Sequence, residues 1–145
     1  MSLNRSHRLQ GALSRLKALG LRITPARTAI LKTLIEKHGP FSKEELQAQV
    51  GCDLVTIYRS IEVLEKNQLV QRCEFGDGTS RYEFNDPESH HHHVVCRTCG
   101  KQEEVAICPS ENLNKAVAKM GYKNVGHLIS FFGVCQSCDN RARPR

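Results

Sequence analysis

The chain has 145 residues, of which 39% are hydrophobic and 25% charged, a composition typical of a globular protein with one or two small domains. No apolar run approaches the roughly 18 residues of a membrane-spanning helix, and the N-terminus lacks the apolar segment of a signal peptide. We therefore expect a cytoplasmic protein with no membrane partner.

The net charge is +6, and the basic excess is concentrated near the N-terminus. Residues 1–35 contain no Asp or Glu. The basic residues in this segment are Arg5, Arg8, Arg15, Lys17, Arg22, Arg27 and Lys32. An acid-free basic segment is typical of a surface that faces phosphates, although a solvated tail and one polar helix face would have the same composition.

The apolar spacing of the first forty residues predicts two helices. Apolar residues at helical spacing over residues 5–19 predict the first, which Gly20 ends. Thr24 and Pro25 have the form of an N-cap and a first-turn proline, so we expect the second helix to begin there and to end before Gly39-Pro40.

Two further helices follow before residue 68. Ser42 and Glu45 form a capping-box pattern that opens a short third helix, ended by Gly51. Asp53 caps a fourth helix that runs to about Asn67. Its predicted buried residues are Val55, Ile57, Ile61 and Leu64.

The periodicity then changes from helical to alternating, which predicts a β-hairpin. Strands are expected over Leu69 to Phe75 and Thr79 to Phe84, joined by the turn sequence Gly-Asp-Gly at 76–78. Helices followed by a hairpin are typical of a winged helix-turn-helix, in which the helix before the hairpin enters the DNA major groove. Here that helix covers residues 53–67.

The polar stretch at 85–89 is the best domain boundary. We predict a winged-helix DNA-binding domain over 1–84, a hinge over 85–89 and a second domain over 90–145. The second domain is expected to be a small α/β unit, with strands over His90 to Cys96, Gln102 to Ala106 and Val125 to Cys135 and a helix from Pro109 to about Met120. Because its core is thin, we expect it to depend on metal and on a partner chain.

Two Cys-x-x-Cys pairs mark a metal site in this second half. Cys96, Cys99, Cys135 and Cys138 can supply the four thiolates of a closed tetrahedral zinc site, which suits a structural ion and leaves no position for substrate. A thioredoxin-like redox motif fits less well because it uses one pair at a strand-to-helix turn. A zinc-ribbon interaction module remains an alternative, but it would leave the first half unexplained.

Four consecutive histidines, His90 to His93, form a second metal-binding signal. On a strand, His90 and His92 point to one face and His91 and His93 to the other, so each face offers two imidazoles and needs further ligands. The candidate partners are Glu83, Glu103, Glu104, Glu111, His127, Cys73 and Cys108. An enzyme is disfavoured, because the sequence has neither a His-Glu-x-x-His motif nor a deaminase signature.

Five segments in order make the sequence resemble the ferric uptake regulator family of dimeric, metal-responsive bacterial repressors. They are GLRITPAR at 20–27, VTIYRS at 55–60, GDGTSRYE at 76–83, HHHHVVCRTCG at 90–100 and GVCQSC at 133–138. The resemblance extends from about Leu16 to Cys138. It implies an α+β protein with an N-terminal winged helix-turn-helix and a small C-terminal α/β dimerisation domain, which agrees with the elements predicted above.

The resemblance also implies a homodimer on a palindromic, A·T-rich DNA operator. Thr56, Tyr58 and Arg59 lie where the family has its recognition helix, and Arg22 matches a basic residue directed at the minor groove. Tyr58 could pack on a thymine methyl while Arg59 reaches a phosphate or a base edge.

Three metal sites are implied by the same resemblance. The structural zinc site corresponds to Cys96, Cys99, Cys135 and Cys138. A regulatory site corresponds to Glu83, His91, His93 and Glu104, and a second site in the dimerisation domain to His90, His92, Glu111 and His127. The grouping of the histidines is the one that strand alternation predicts. A regulatory ion would fix the separation of the DNA-binding domains and so raise operator affinity.

The effector of the regulatory site is expected to be Zn²⁺ or Fe²⁺. The uninterrupted histidine run slightly favours zinc. Pro40 stands where many iron and peroxide sensors carry a histidine, and His38 lies two residues earlier. Zinc regulators often have a cysteine near the position of Glu83, which this chain lacks. Cys73 and Cys108 are possible thiol ligands, although such residues are more often small buried hydrophobic side chains. Iron-sensing and peroxide-responsive regulation therefore stay as alternatives.

Overall fold

The computed structural model describes residues 2–86, 91–106, 108, 111–123, 125–127 and 129–143. The chain divides into two compact units, Met1–Pro87 and Glu88–Arg145. Among the described residues, no helix has the length and apolar character needed to cross a membrane. The predicted fold class is confirmed, since a helical unit with a β-hairpin precedes a small unit of mixed helix and strand.

Four helices open the first unit, and side chains cap three of them as predicted. The helices are α1 (Ser2–Ala18), α2 (Pro25–Lys37), α3 (Lys43–Val50) and α4 (Leu54–Lys66). Thr24 accepts a hydrogen bond from the backbone N–H of Arg27 at the start of α2. Ser42 and Glu45 form the reciprocal capping box of α3. Asp53 accepts from the N–H of Thr56 at the start of α4.

The hairpin that completes this unit is formed by β1 (Val70–Glu74) and β2 (Ser80–Phe84), which pair antiparallel. β1 is one residue shorter at each end than predicted, and β2 begins one residue later than predicted and ends at Phe84 as predicted. Gly76 and Gly78 both have a φ near +79°, a conformation that glycine adopts without strain. Tyr82 on β2 is 1% exposed and exchanges two backbone hydrogen bonds with Phe41, so the hairpin is attached to the loop before α3.

The core of the first unit packs α1, α2, α3 and α4 around a set of aliphatic side chains. Its fully buried members include Leu16, Ile30, Leu31, Leu34, Leu46, Ile57, Ile61 and Leu64. Val55 was predicted to be buried but is 58% exposed, so that prediction is wrong. It precedes Ile57 by two residues, which places it about 200° around the helix axis, on the face opposite the core. This exposed face of α4 also carries Tyr58.

The second unit contains a three-stranded sheet with β3 at its centre. Its elements are β3 (His92–Cys96), β4 (Gln102–Val105), α5 (Glu111–Lys119), β5 (Ser130–Gly133) and α6 (Gln136–Ala142). β3 pairs antiparallel with β4 on one edge and parallel with β5 on the other.

The ends of four elements in this unit differ from the prediction. β4 ends at Val105 rather than Ala106, and α5 covers Glu111–Lys119, with the predicted first residue, Pro109, outside the described residues. β3 begins at His92, and the predicted first residue, His90, lies outside the described residues. β5 covers four residues rather than the predicted Val125 to Cys135. The chain leaves the sheet after Gly133 because Cys135 occupies the N-cap position of α6, a helix that the sequence did not predict. Only Cys138 is buried in α6, so its sequence shows no apolar periodicity.

Candidate metal centres and DNA-binding surface

The four cysteines of the two Cys-x-x-Cys pairs lie together at one end of β3. Their sulfur atoms are all within 4.8 Å of one another. The Sγ atoms of Cys99 and Cys135 are 3.7 Å apart. A tetrahedral zinc ion with Zn–S bonds of about 2.3 Å requires S–S separations of about 3.8 Å. The cluster therefore has the spacing of a closed four-thiolate zinc site.

Strand pairing and a short helix together build this cluster. The parallel register sets Cys96 opposite Gly133, so the chain that follows β5 reaches the end of β3 within two residues. The turn after β3 closes with a hydrogen bond from the N–H of Gly100 to the carbonyl of Cys96. Cys135 then caps α6, and its carbonyl accepts from the N–H of Cys138 in the first turn. Each pair is thus held by a turn of its own backbone.

The electrostatics of the cluster favour a bound cation. The N–H of Cys135 donates to the sulfur of Cys96 at 3.3 Å. This bond and a second backbone hydrogen bond from Cys99 lower the pKa of Cys96 to about 5. Hydrogen bonds among the thiols, first with Cys135, raise the pKa of Cys138 to about 12. Sulfur atoms this close do not all ionise without a cation between them, and zinc supplies that charge.

His91, His93 and Glu104, which the family resemblance implied as ligands of the regulatory site, lie near one another in the second unit. The rings of His91 and His93 are 5.3 Å apart and nearly perpendicular. Glu104 on β4 is directly opposite His93 in the antiparallel register, so their side chains leave the same face of the sheet. His93 is 6% exposed and Glu104 is exposed. The face thus offers two imidazoles and one carboxylate.

Glu83, the fourth residue assigned to that site, belongs to the hairpin of the first unit. It is 4% exposed and accepts a hydrogen bond from the side chain of Gln71 on the neighbouring strand. Cys73 offers its sulfur within 4.8 Å of the same carboxylate. Burial, together with the negative charge of Glu83, raises the pKa of Cys73 well above its ordinary value. The hairpin therefore holds a buried carboxylate beside a protonated thiol.

His92 points to the opposite face of β3 and meets His127. Their Nε2 atoms are 3.4 Å apart. The sulfur of Cys108, which the sequence analysis named only as a possible metal ligand, lies 3.5 Å from the same Nε2 of His127. The other two residues assigned to this site are His90, which lies outside the described residues, and Glu111, whose side chain is not described.

The exposed face of α4 presents an aromatic and a basic side chain. Tyr58 is 45% exposed, and Nζ of Lys43 lies 4.0 Å from its ring centroid, within the range of a cation–π contact. Arg59 is exposed beside it. Lys43 was not among the predicted site residues, because nothing in the sequence signals that α3 brings it to Tyr58. Thr56 donates its hydroxyl to the N-cap Asp53 at 2.6 Å, so this hydroxyl contributes to the helix start.

Arg22, the residue assigned to the minor groove, lies in the turn before α2. The guanidinium of Arg27 donates to the backbone carbonyl of Arg22 at 2.6 Å, which holds this turn against α2. Arg22 itself is exposed. An open groove of about 610 Å³ lies between α2 and α4, and Arg27 and Arg59 contribute to its wall. This side of the unit therefore combines exposed cations with a groove.

Comparison with known proteins shows that the sequence is similar to one family. The sequence model of the ferric uptake regulator family matches residues 18–132. The peroxide operon regulator of Bacillus subtilis is 32% identical over 142 residues, which cover 94% of this chain and 97% of the relative. The ferric uptake regulation protein of Campylobacter jejuni is 33% identical over 131 residues, covering 84% and 82% of the two chains.

A solved structure shows the same fold. The ferric uptake regulator Fur of Helicobacter pylori superposes with a TM-score of 0.68 at 28% sequence identity, covering 90% of this chain and 93% of that one. That protein is described as having three functional metal-binding sites.

Replacing Cys96 with serine removes one thiolate from the four-cysteine cluster and should abolish its zinc binding. Because metal binding contributes folding free energy to so small a unit, we expect Cys96→Ser to lower the thermal midpoint and to disrupt the dimer. Zinc content, thermal unfolding and sedimentation of the purified protein measure the three effects. The matched control is Cys52→Ser, in the first unit and outside the cluster, which should retain zinc. An unchanged dimer of Cys96→Ser with full zinc content would contradict this assignment.

Proposed function

The chain belongs to the ferric uptake regulator family, and we propose that it is a metal-responsive transcriptional repressor that controls genes of metal uptake and homeostasis. The observation that carries this proposal is the distribution of metal-binding side chains around β3. A closed thiol cluster at its end suits a permanent ion, while the face with His91, His93 and Glu104 suits an ion that binds and leaves. Such a division separates a structural metal from a sensed one.

DNA is the partner that the first unit fits. Tyr58 and Arg59 are exposed on α4. The ring of Tyr58 can pack on a thymine methyl, and the guanidinium of Arg59 can contact a phosphate or a base edge. Arg22 and Arg27 add positive charge on the same side, and we propose that Arg22 approaches an A·T-rich minor groove. The ammonium group of Lys43 lies over the ring of Tyr58, and its positive charge favours the binding of a DNA phosphate near that ring. We assign the operator a palindromic sequence, since the family binds DNA as dimers.

A second copy of this chain is the partner that the second unit fits. Among the described residues, this unit exposes a set of large apolar side chains, whose burial in a dimer would be favourable. They are Leu113, Val117, Met120, Tyr122, Phe131, Phe132 and Val134. We propose a homodimer formed through this unit, acting in the cytoplasm with its DNA.

The regulatory ion is proposed to bind Glu83, His91, His93 and Glu104. Support comes from the common sheet face of His91, His93 and Glu104 and from the burial of the Glu83 carboxylate in the hairpin. Two imidazoles with carboxylates accept zinc or ferrous ion, and we propose zinc as the effector. Residues His90, His92, Glu111 and His127 are proposed as the second set. Peroxide-responsive or iron-responsive regulation is the alternative that the relatives favour.

Arg59→Ala should weaken operator binding by about 1–3 kcal/mol, because it removes a contact to a phosphate or a base edge. Metal content and dimerisation should not change. Fluorescence anisotropy with a labelled operator duplex, repeated over a range of salt concentrations, measures the loss. Lys119→Ala, which removes an exposed cation from α5, is the control. Equal affinity of Arg59→Ala and the native protein at every salt concentration would show that α4 does not bind DNA.

His93→Ala should keep a folded dimer with its four-cysteine zinc, yet lose the stimulation of DNA binding by added metal. The substitution removes a ligand of the proposed regulatory ion and with it the coupling between metal and DNA. His127→Ala is the matched control, since it changes a histidine of the other set. Operator binding of both variants is measured over one metal titration. A normal metal response in His93→Ala, and none in His127→Ala, would assign sensing to the other set.

A further inference from the structure

His92, Cys108 and His127 each direct one ligand atom into a common space in the second unit, with these atoms within 4.8 Å of one another. We propose that the three residues bind a zinc ion and that Cys108 is its thiolate ligand. The set implied by the family resemblance contains no cysteine at this site. Because the proposal concerns metal binding alone, it does not depend on whether the chain binds DNA.

The distances within the group match a tetrahedral zinc ion. The two histidine Nε2 atoms are 3.4 Å apart, and the sulfur of Cys108 is 3.5 Å from Nε2 of His127. With Zn–N bonds of about 2.05 Å and a Zn–S bond of about 2.3 Å, tetrahedral geometry requires N–N separations of about 3.3 Å and N–S separations of about 3.6 Å. Both observed separations agree with these values.

Asn114 on α5 orients the imidazole of His127 for metal binding. Its side-chain amide lies 3.0–3.1 Å from Nδ1 of His127. When Nδ1–H of His127 donates a hydrogen bond to the amide oxygen of Asn114, Nε2 carries a lone pair that faces Cys108 and His92. A hydrogen bond of this kind to the second ring nitrogen is the usual support of a metal-bound histidine. The geometry around His127 is therefore that of a ligand with its supporting partner in position.

A metal at this point would stabilise a unit that has little core. Among its described residues, the buried hydrophobic side chains are Val95, Cys96 and Cys138, and two of these belong to the four-cysteine cluster. His92 lies on β3, while Cys108 follows β4 and His127 precedes β5. One ion would join these three segments and contribute folding free energy that the apolar contacts do not supply.

The thiolate determines which metal is preferred. Sulfur ligands select zinc over ferrous and manganous ions, which prefer oxygen and imidazole donors. The site should therefore retain zinc under conditions where the face with His91, His93 and Glu104 exchanges its ion. A hydrogen-bonded cluster of two histidines and a thiol is the competing explanation of the same distances, and it predicts that no metal binds.

Cobalt titration of the full-length protein distinguishes the two explanations. A chelator first removes metal from the site of His92, Cys108 and His127 while the four-cysteine cluster keeps its zinc. Co²⁺ is then added, because a cobalt–thiolate bond gives charge-transfer absorption in the ultraviolet. We expect the native protein to gain this band and Zn²⁺ to remove it. Cys108→Ser should lose the band and bind one metal ion fewer per chain. Cys52→Ser, a cysteine of the first unit, is the control and should retain both.

His127→Gln provides a second test, in which the thiol stays and a nitrogen ligand is lost. It should also bind one ion fewer per chain, with circular dichroism checking that each variant is folded. Retention of the band in Cys108→Ser, or equal metal content in the native protein and both variants, would overturn the proposal. Failure of DNA binding would leave these spectra unchanged, so the two proposals can fail separately.

Discussion

The pairing of β3 on both of its edges determines where the metal-binding side chains of the second unit lie. β3 pairs antiparallel with β4 on one edge and parallel with β5 on the other. Neither the register of β3 nor the direction of its side chains can shift without breaking both pairings. A slip of one residue would exchange the positions of His92 and His93. It would also move Cys96 away from Gly133 and from the second cysteine pair that follows.

The two kinds of ligand on β3 have different chemical consequences. Four thiolates complete the coordination of zinc, so the cluster at the end of the strand has no position left for another ligand. Imidazoles and carboxylates bind several divalent ions and release them more readily, which is what a sensor requires. A repressor of this family needs both properties, since the fold must persist while the effector concentration changes. One strand supplies ligands of both kinds because its histidines lie at its start and Cys96 lies at its end.

Local sequence patterns predicted the elements whose ends are fixed by capping or turn residues. Thr24, Ser42 and Asp53 marked helix starts because their side chains satisfy backbone N–H groups that have no acceptor within the helix. Val55 was placed in the core wrongly, because the sequence does not distinguish an exposed valine on α4 from a buried one. α6 was missed because its position depends on the cysteine cluster, a contact distant in sequence. The proximity of Cys108 to His127 was not predicted for the same reason, because the fold of the whole unit brings the two residues together.

Operator affinity measured against the number of metal ions bound per chain tests the central claim most directly. A duplex selected from a random pool is titrated with protein that holds only the four-cysteine zinc, and then with protein loaded with increasing Zn²⁺, Fe²⁺ or Mn²⁺. The account predicts weak binding with the first ion alone and a steep rise in affinity as the regulatory site fills, with zinc effective at the lowest concentration. Equal affinity before and after the additional ions bind would contradict it.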